Sequence, residues 1–250
     1  MSFDSVRQMV FVTTGNPKPA FFGANRVGQN LYSNSVIAID SISGQVIWHW
    51  QEVGHDLWDY DIPAPPMLTT IVRYGRKIDV VVAMTKIGSV IVLERTTGKP
   101  IFDYRLRRAP TSATPGEITS AYQPDLEIPE PLINPEFGLL DITDIGIENR
   151  ESVFKQLDQN VVYGFFQPPI LGKTLISFGL HGGAEWPGGA INHELGMLYV
   201  PINRIPWKLR LSLTPRAEIS VPDSSGKLFY KKYCQSCHKK ERGGEFLTRG

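Results

Sequence analysis

One spacing recurs along this chain and constrains its fold more than any other feature. An acidic or amide residue is followed four positions later by glycine, and four positions later again by a large apolar residue. Asp40, Gly44 and Trp48 define it in "AIDSISGQVIWHW". Glu94, Gly98 and Phe102 repeat it, as do Asn192, Gly196 and Val200. A degraded copy opens the chain at Asp4, Gln8 and Val12. Each copy reads as a strand, a tight turn and a second strand, which is one hairpin. An ordinary antiparallel meander has hairpins without fixed offsets. Matched offsets predict the hairpins of successive propeller blades.

The rest of the chain before Pro222 supports an all-β reading. "QMVFVTT", "NSVIAID", "QVIWHWQ", "DVVVAMT", "SVIVLER" and "GMLYVPI" are rich in β-branched and aromatic residues, and turn-forming stretches separate them. One helix is expected near 144–157, capped by Thr143 or Asp144. Residues 108–140 are proline-rich and expected to be irregular. Three segments follow: a partial propeller over 1–214, a linker over 215–225, and the start of a small helical domain over 226–250.

The last segment holds both cysteines. Cys234, Cys237 and His238 form a Cys-x-x-Cys-His run, the attachment pattern of c-type haem, with the imidazole held under the iron. A redox dithiol and half of a zinc site remain alternatives at this level. Haem iron usually takes a sixth ligand, most often methionine. All five methionines precede Cys234, and only twelve residues follow His238. The haem domain is therefore expected to be truncated, and the sequence to be a central piece of a longer protein that would not fold stably alone.

Net charge is +1, unevenly spread. Residues 226–250 carry seven Lys/Arg against two Glu, a net of +5, leaving −4 for the remainder. A basic rim of this kind could dock an acidic electron-transfer partner, or simply be solvated. Nucleic-acid binding has no other support. No run of about 18 apolar residues encodes a membrane span. No signal peptide is visible at the N-terminus, so the periplasmic location that haem attachment implies requires a signal upstream.

Taken together, Ala38, Asp40, Gly44 and Trp48 resemble the tryptophan-docking motif of quinoprotein dehydrogenases, eight-bladed propellers that bind pyrroloquinoline quinone (PQQ). "TGNPKPAFFGANRVGQNLYSNSVIAID", "HDLWDYDIPAPP", "TKIGSVIVLERTTGKP" and "GGAEWPGGAINHELGMLYVPINRIPW" are similar to segments of that family, in the same order. The likeness covers Asp4 to about Trp207, roughly four blades by the repeat count. It is strongest to the glucose-dehydrogenase-like branch in which a cytochrome c domain accompanies the blades.

The resemblance implies site residues. Asn16 matches a calcium ligand, Lys86 the lysine that bonds the quinone oxygens, and Asn203 a polar contact to the cofactor, with Trp207 at the pocket. Trp186 matches a position that is either pocket or core. His55, Asp56, Trp58, Asp59 and Asp61 form a dense knot, read as a structural network with catalysis as the alternative. The family mechanism needs a carboxylate to take the substrate's hydroxyl proton. Ala20 and Gln29 stand at the two positions expected to carry it, and neither can act as a base. Asp56 or Asp59 could serve instead. The implied activity is PQQ-dependent oxidation of an alcohol or sugar, with electrons passing to haem c and on to an acceptor protein or quinone. The alternative is a non-catalytic propeller that binds or scaffolds.

Overall fold

A computed structural model describes residues 1–213 except Pro135, Asp158 and Gly179. The unit considered below spans Met1–Leu211. Its first sheet is a four-stranded antiparallel meander in chain order: β1 (Ser2–Asp4), β2 (Met9–Thr13), β3 (Ser35–Asp40) and β4 (Val46–Gln51). The second holds β5 (Met67–Arg73), β6 (Arg76–Met84) and β7 (Val90–Glu94), and a bridge from Leu93 to Pro100 extends it outward.

The repeated spacing makes the turns at one end of these sheets. Asp40 Oδ1 accepts the backbone N–H groups of Ile42 and Ser43 at 3.1 and 2.7 Å. Gly44 N–H donates to the Asp40 carbonyl at 2.9 Å, and Gly44 has φ 72°, which glycine adopts at little cost. Asn192 receives Glu194 and Leu195 N–H in the same way, both at 3.0 Å. In the degraded copy Asp4 Oδ1 accepts Val6 and Arg7 N–H at 3.0 Å each, and Gln8 takes the left-handed conformation, φ 54°, in place of glycine.

The inner part of β6 and most of β7 are buried on both faces. Val81, Ala83, Ile91 and Leu93 pack against Met9, Phe11, Val36, Ala38, Trp48 and Trp50 of the first sheet. Val80, Val82, Met84, Val90 and Val92 point the other way, onto Ala184, Leu198 and Val200. Successive residues of β6 and β7 therefore serve two different cores, which explains their near-continuous apolar runs. The second sheet lies between two neighbours, as a propeller blade does.

The third expected element of the repeat links the first two sheets. Trp48 is 8% exposed, and its indole covers Gly98 so closely that a Cβ there would lie 2.5 Å from Trp48 Cδ2. Trp48 Nε1 donates to the Arg95 carbonyl at 3.1 Å. The tryptophan of one hairpin thus docks on the turn of the next.

Later elements are shorter. β8 (Arg105–Arg108) pairs with β9 (Tyr122–Asp125), and a 3-10 turn at Leu139–Asp141 precedes helix α1 (Ile147–Lys155). Then come β10 (Val161–Val162), β11 (Thr174–Ser177), β12 (Gly183–Ala184), β13 (Ala190–Asn192), β14 (Met197–Tyr199), β15 (Ile202–Asn203) and β16 (Trp207–Arg210). β13 pairs with β14, β12 with β15, and β11 with both β10 and β16. The expected helix starts later than its polar residues suggest, because Gly146 at φ 82° sets the entry. The proline-rich stretch is more ordered than expected, since β9 lies within it. No helix among the described residues is long and apolar enough to cross a membrane.

Candidate functional site

The connections at the opposite end from the repeated turns carry the polar side chains. Residues 14–34 link β2 to β3 and hold Asn16. Residues 52–66 link β4 to β5 and hold Asp59 and Asp61. Residues 85–89 link β6 to β7 and hold Lys86.

Lys86 is 5% exposed and does not point to water. Its Nζ donates to Asp59 Oδ2 at 2.8 Å and to Asp61 Oδ2 at 2.6 Å. Burial alone would lower the Lys86 pKa; the two carboxylates outweigh it and hold the ammonium above its ordinary value. Asp61 Oδ1 accepts the Asn16 N–H at 2.6 Å, which draws the first link to the second. Among the described residues, Asp59 Oδ1 faces the exposed Lys18 ammonium, at 3.7 Å. Gly183 packs against the Lys86 carbonyl and pairs in register with Asn203, and Ala184 N–H donates to the Thr85 carbonyl at 3.1 Å. Glu185 follows directly. Burial raises its carboxyl pKa, while Lys86 and His181 pull it back. His181 stands edge-on to Trp207, ring centres 4.7 Å apart. Trp186, by contrast, is 75% exposed and belongs to no core.

The knot at 55–61 divides by function. Its first part is structural. His55 Nε2 meets Glu117 Oε1 at 2.8 Å with both side chains buried. Asp56 accepts from Asn34 Nδ2 and from the N–H groups of Trp58 and Tyr60, at 2.7 to 2.8 Å. Its second part, Asp59 and Asp61, faces Lys86. Gln29 is occupied elsewhere, with Nε2 on Ser120 Oγ at 3.3 Å and its carbonyl accepting from Gln51 and His55.

Among the described residues, Asn16 Nδ2 and Trp207 Nε1 are buried donors without a partner, and Glu185 Oε1 is a buried acceptor without one. Buried polar groups are normally satisfied. Two donors and an ammonium suit PQQ, whose carboxylates and quinone carbonyls are acceptors. Asn16 is also the residue expected to ligate calcium. Calcium takes roughly six to eight oxygens. Asn16 Oδ1 already accepts from Lys18 Nζ at 3.1 Å, and no cluster of three His, Cys, Asp or Glu among the described residues is arranged to hold a metal. Cys234, Cys237 and His238 lie outside the described residues.

Sequence reasoning missed Glu52. It is fully buried, and burial pushes its carboxyl up to about 8, with the Ser89 and Thr85 hydroxyls moderating the shift. An acid whose folded pKa lies above its unfolded value holds its proton more tightly when folded. The stability linked to Glu52 is therefore full below about 4.5, is lost as pH rises, and levels off above about 8. Between pH 5 and 7 the loss should be roughly 2–2.5 kcal/mol, and Glu52→Gln should remove that slope. Urea unfolding of both proteins at pH 5, 6 and 7 reads the difference; parallel slopes would show that Glu52 ionises as freely folded as unfolded.

The family model for the glucose/ethanol/alcohol dehydrogenase β-propeller domain (PQQ) matches residues 1–242. Quinoprotein glucose dehydrogenase A of Acinetobacter calcoaceticus is 29% identical over 223 residues, covering 84% of this chain and 27% of that protein. Quinohemoprotein alcohol dehydrogenase of Comamonas testosteroni is 37% identical over 101 residues, 40% of this chain and 14% of that protein. The crystal structure of quinohemoprotein alcohol dehydrogenase from Comamonas testosteroni superposes with a TM-score of 0.53 at 24% identity, over 84% of this chain and 26% of that one. The chain thus spans about a quarter of the length of curated relatives such as the glucose dehydrogenase. With its stacked hairpin sheets and its buried lysine between two carboxylates, the chain belongs to the PQQ-dependent glucose/ethanol/alcohol dehydrogenase family, as part of its β-propeller domain.

Proposed function

We propose that this chain forms part of a periplasmic, eight-bladed quinoprotein that oxidises an alcohol or sugar with PQQ. The carrying observation is the buried Lys86 ammonium between Asp59 and Asp61, with Asn16 joined to Asp61 and its Nδ2 unpartnered among the described residues. Lys86 would bond the acceptor edge of the cofactor, Asn16 and Trp207 would donate to it, and Asn203 would border it. When bound, PQQ supplies a two-electron acceptor for the substrate's carbon-bound hydride. Asp59 would take the hydroxyl proton, since its Oδ1 accepts no hydrogen bond from the described residues. Calcium would bind at Asn16 Oδ1, in place of the exposed Lys18 ammonium that this oxygen accepts from, and would polarise the quinone carbonyl as a Lewis acid. The non-catalytic alternative rested on Ala20 and Gln29, and Asp59 now gives the proton another acceptor.

Lys86→Ala should weaken PQQ binding by roughly 1.5–3 kcal/mol, the range for a hydrogen bond to a charged group. PQQ titration followed by tryptophan fluorescence measures it, and equal affinities would remove Lys86 from the cofactor. A dye-reduction screen of sugars and alcohols on the PQQ-loaded protein tests the activity itself.

Cys234, Cys237 and His238 would bind haem c and pass electrons to an acceptor protein or quinone. The quinohemoprotein relative supports that assignment by its name. After expression with haem maturation, haem absorbance should stay with the polypeptide through denaturation and gel separation; its loss would return the motif to thiol or zinc chemistry.

A further inference from the structure

Lys86 sits in a short turn, and that turn needs something to fix its direction. Thr85 N–H donates to the Ser89 carbonyl at 3.2 Å, and Gly88 N–H to the Thr85 carbonyl at 3.0 Å. Lys86 N–H donates to the Asp61 carbonyl at 3.2 Å. The Thr85 hydroxyl accepts the Ser89 N–H at 3.1 Å and donates to Glu52 Oε1 at 3.0 Å. Glu52 therefore braces the turn from behind.

Glu52 also belongs to the other half of the site. It begins the link that carries Asp59 and Asp61, and its N–H donates to the Asn34 carbonyl at 2.9 Å. Asn34 Nδ2 in turn donates to Asp56 Oδ2 and to the Tyr60 carbonyl at 2.8 and 2.9 Å. One side chain thus ties the link bearing the two carboxylates to the turn bearing the ammonium. Glu52 is fully buried, has no ion-pair partner among the described residues, and leaves Oε2 without a hydrogen bond. A buried acid is costly relative to an apolar residue of similar size. Simple filling of the core would favour leucine.

We propose that Glu52 is a positioning residue for Lys86, its buried carboxyl fixing where the ammonium meets Asp59, Asp61 and the cofactor. The inference rests on the PQQ reading for the word cofactor, and on geometry alone for the rest. An apolar side chain at 52 would fill the space and leave the Thr85 O–H without its acceptor, so the turn would lose its brace. Glutamine would keep an acceptor for Thr85.

The test compares Glu52→Leu and Glu52→Gln with the wild type. Lys86 acetylation by acetic anhydride is followed by mass spectrometry, alongside thermal unfolding and PQQ titration. In Glu52→Leu the fold should survive, Lys86 should acetylate about tenfold faster, and PQQ affinity should fall about tenfold, a factor equivalent to one lost hydrogen bond. Glu52→Gln should stay near wild type in both. Wild-type acetylation and affinity in a folded Glu52→Leu protein would overturn the proposal. If that variant does not fold, Thr85→Val removes the hydroxyl at nearly constant volume and should give the same acceleration; a wild-type rate there would overturn it equally. PQQ binding by none of the proteins would sink the cofactor reading, while the acetylation contrast still decides the role of Glu52.

Discussion

Asp59→Asn should leave PQQ binding largely intact while lowering turnover by roughly 10²–10⁴-fold, the usual contribution of a positioned base. The substitution keeps the shape and an oxygen for Lys86, which Asp61 also holds at 2.6 Å. It removes the group that can take a proton. Asp56 cannot replace it, because it is fully buried and its oxygens accept from Asn34, Trp58 and Tyr60. Steady-state kinetics with the cofactor-loaded protein separates the effects. A fall in kcat with unchanged PQQ affinity supports Asp59 as the base. Unchanged kcat would move the proton to another acceptor, with Glu185 the next carboxylate to try.

Trp48→Ala should cost about 3–5 kcal/mol of stability, the range for deleting a buried tryptophan side chain. The indole packs on Phe11 with ring centres 5.7 Å apart, covers Gly98, and satisfies the Arg95 carbonyl. Its removal opens the seam between the first two sheets and does not merely thin one of them. For a unit of this size the melting temperature should fall by about 6–20 °C. Calorimetry measures the shift. A change of only a degree or two would mean that the docking contributes little to holding the sheets together.

The hairpins were legible because their turns are built from neighbours. An Asp or Asn oxygen two and three residues from the N–H groups it accepts, followed by glycine in a left-handed conformation, leaves a local signature. β6 and β7 were legible because burial on both faces produces unbroken apolar runs. β5 was missed: its "MLTTIVR" is half exposed, and Thr69 and Thr70 interrupt the apolar pattern. The pairing of β11 with β16 spans more than thirty residues and leaves no local trace. At the site, Lys86 was found by resemblance, whereas the role of Asp59 depends on a lysine 27 positions away in sequence. Glu52 follows the last residue of β4 and carries no mark that it is buried. Its environment is made by Thr85 and Ser89, which arrive from another sheet.

In the two described meanders, the repeated turns and the polar connections occupy opposite ends of the same strands. This separation has a practical use. Ile42, in the turn after β3, is 82% exposed and touches neither Lys86 nor its carboxylates. A cysteine placed there would accept a fluorescent dye or a surface tether without altering the chemistry at the far end. The protein could then be fixed to an electrode in one orientation, with its reactive loops facing the solution.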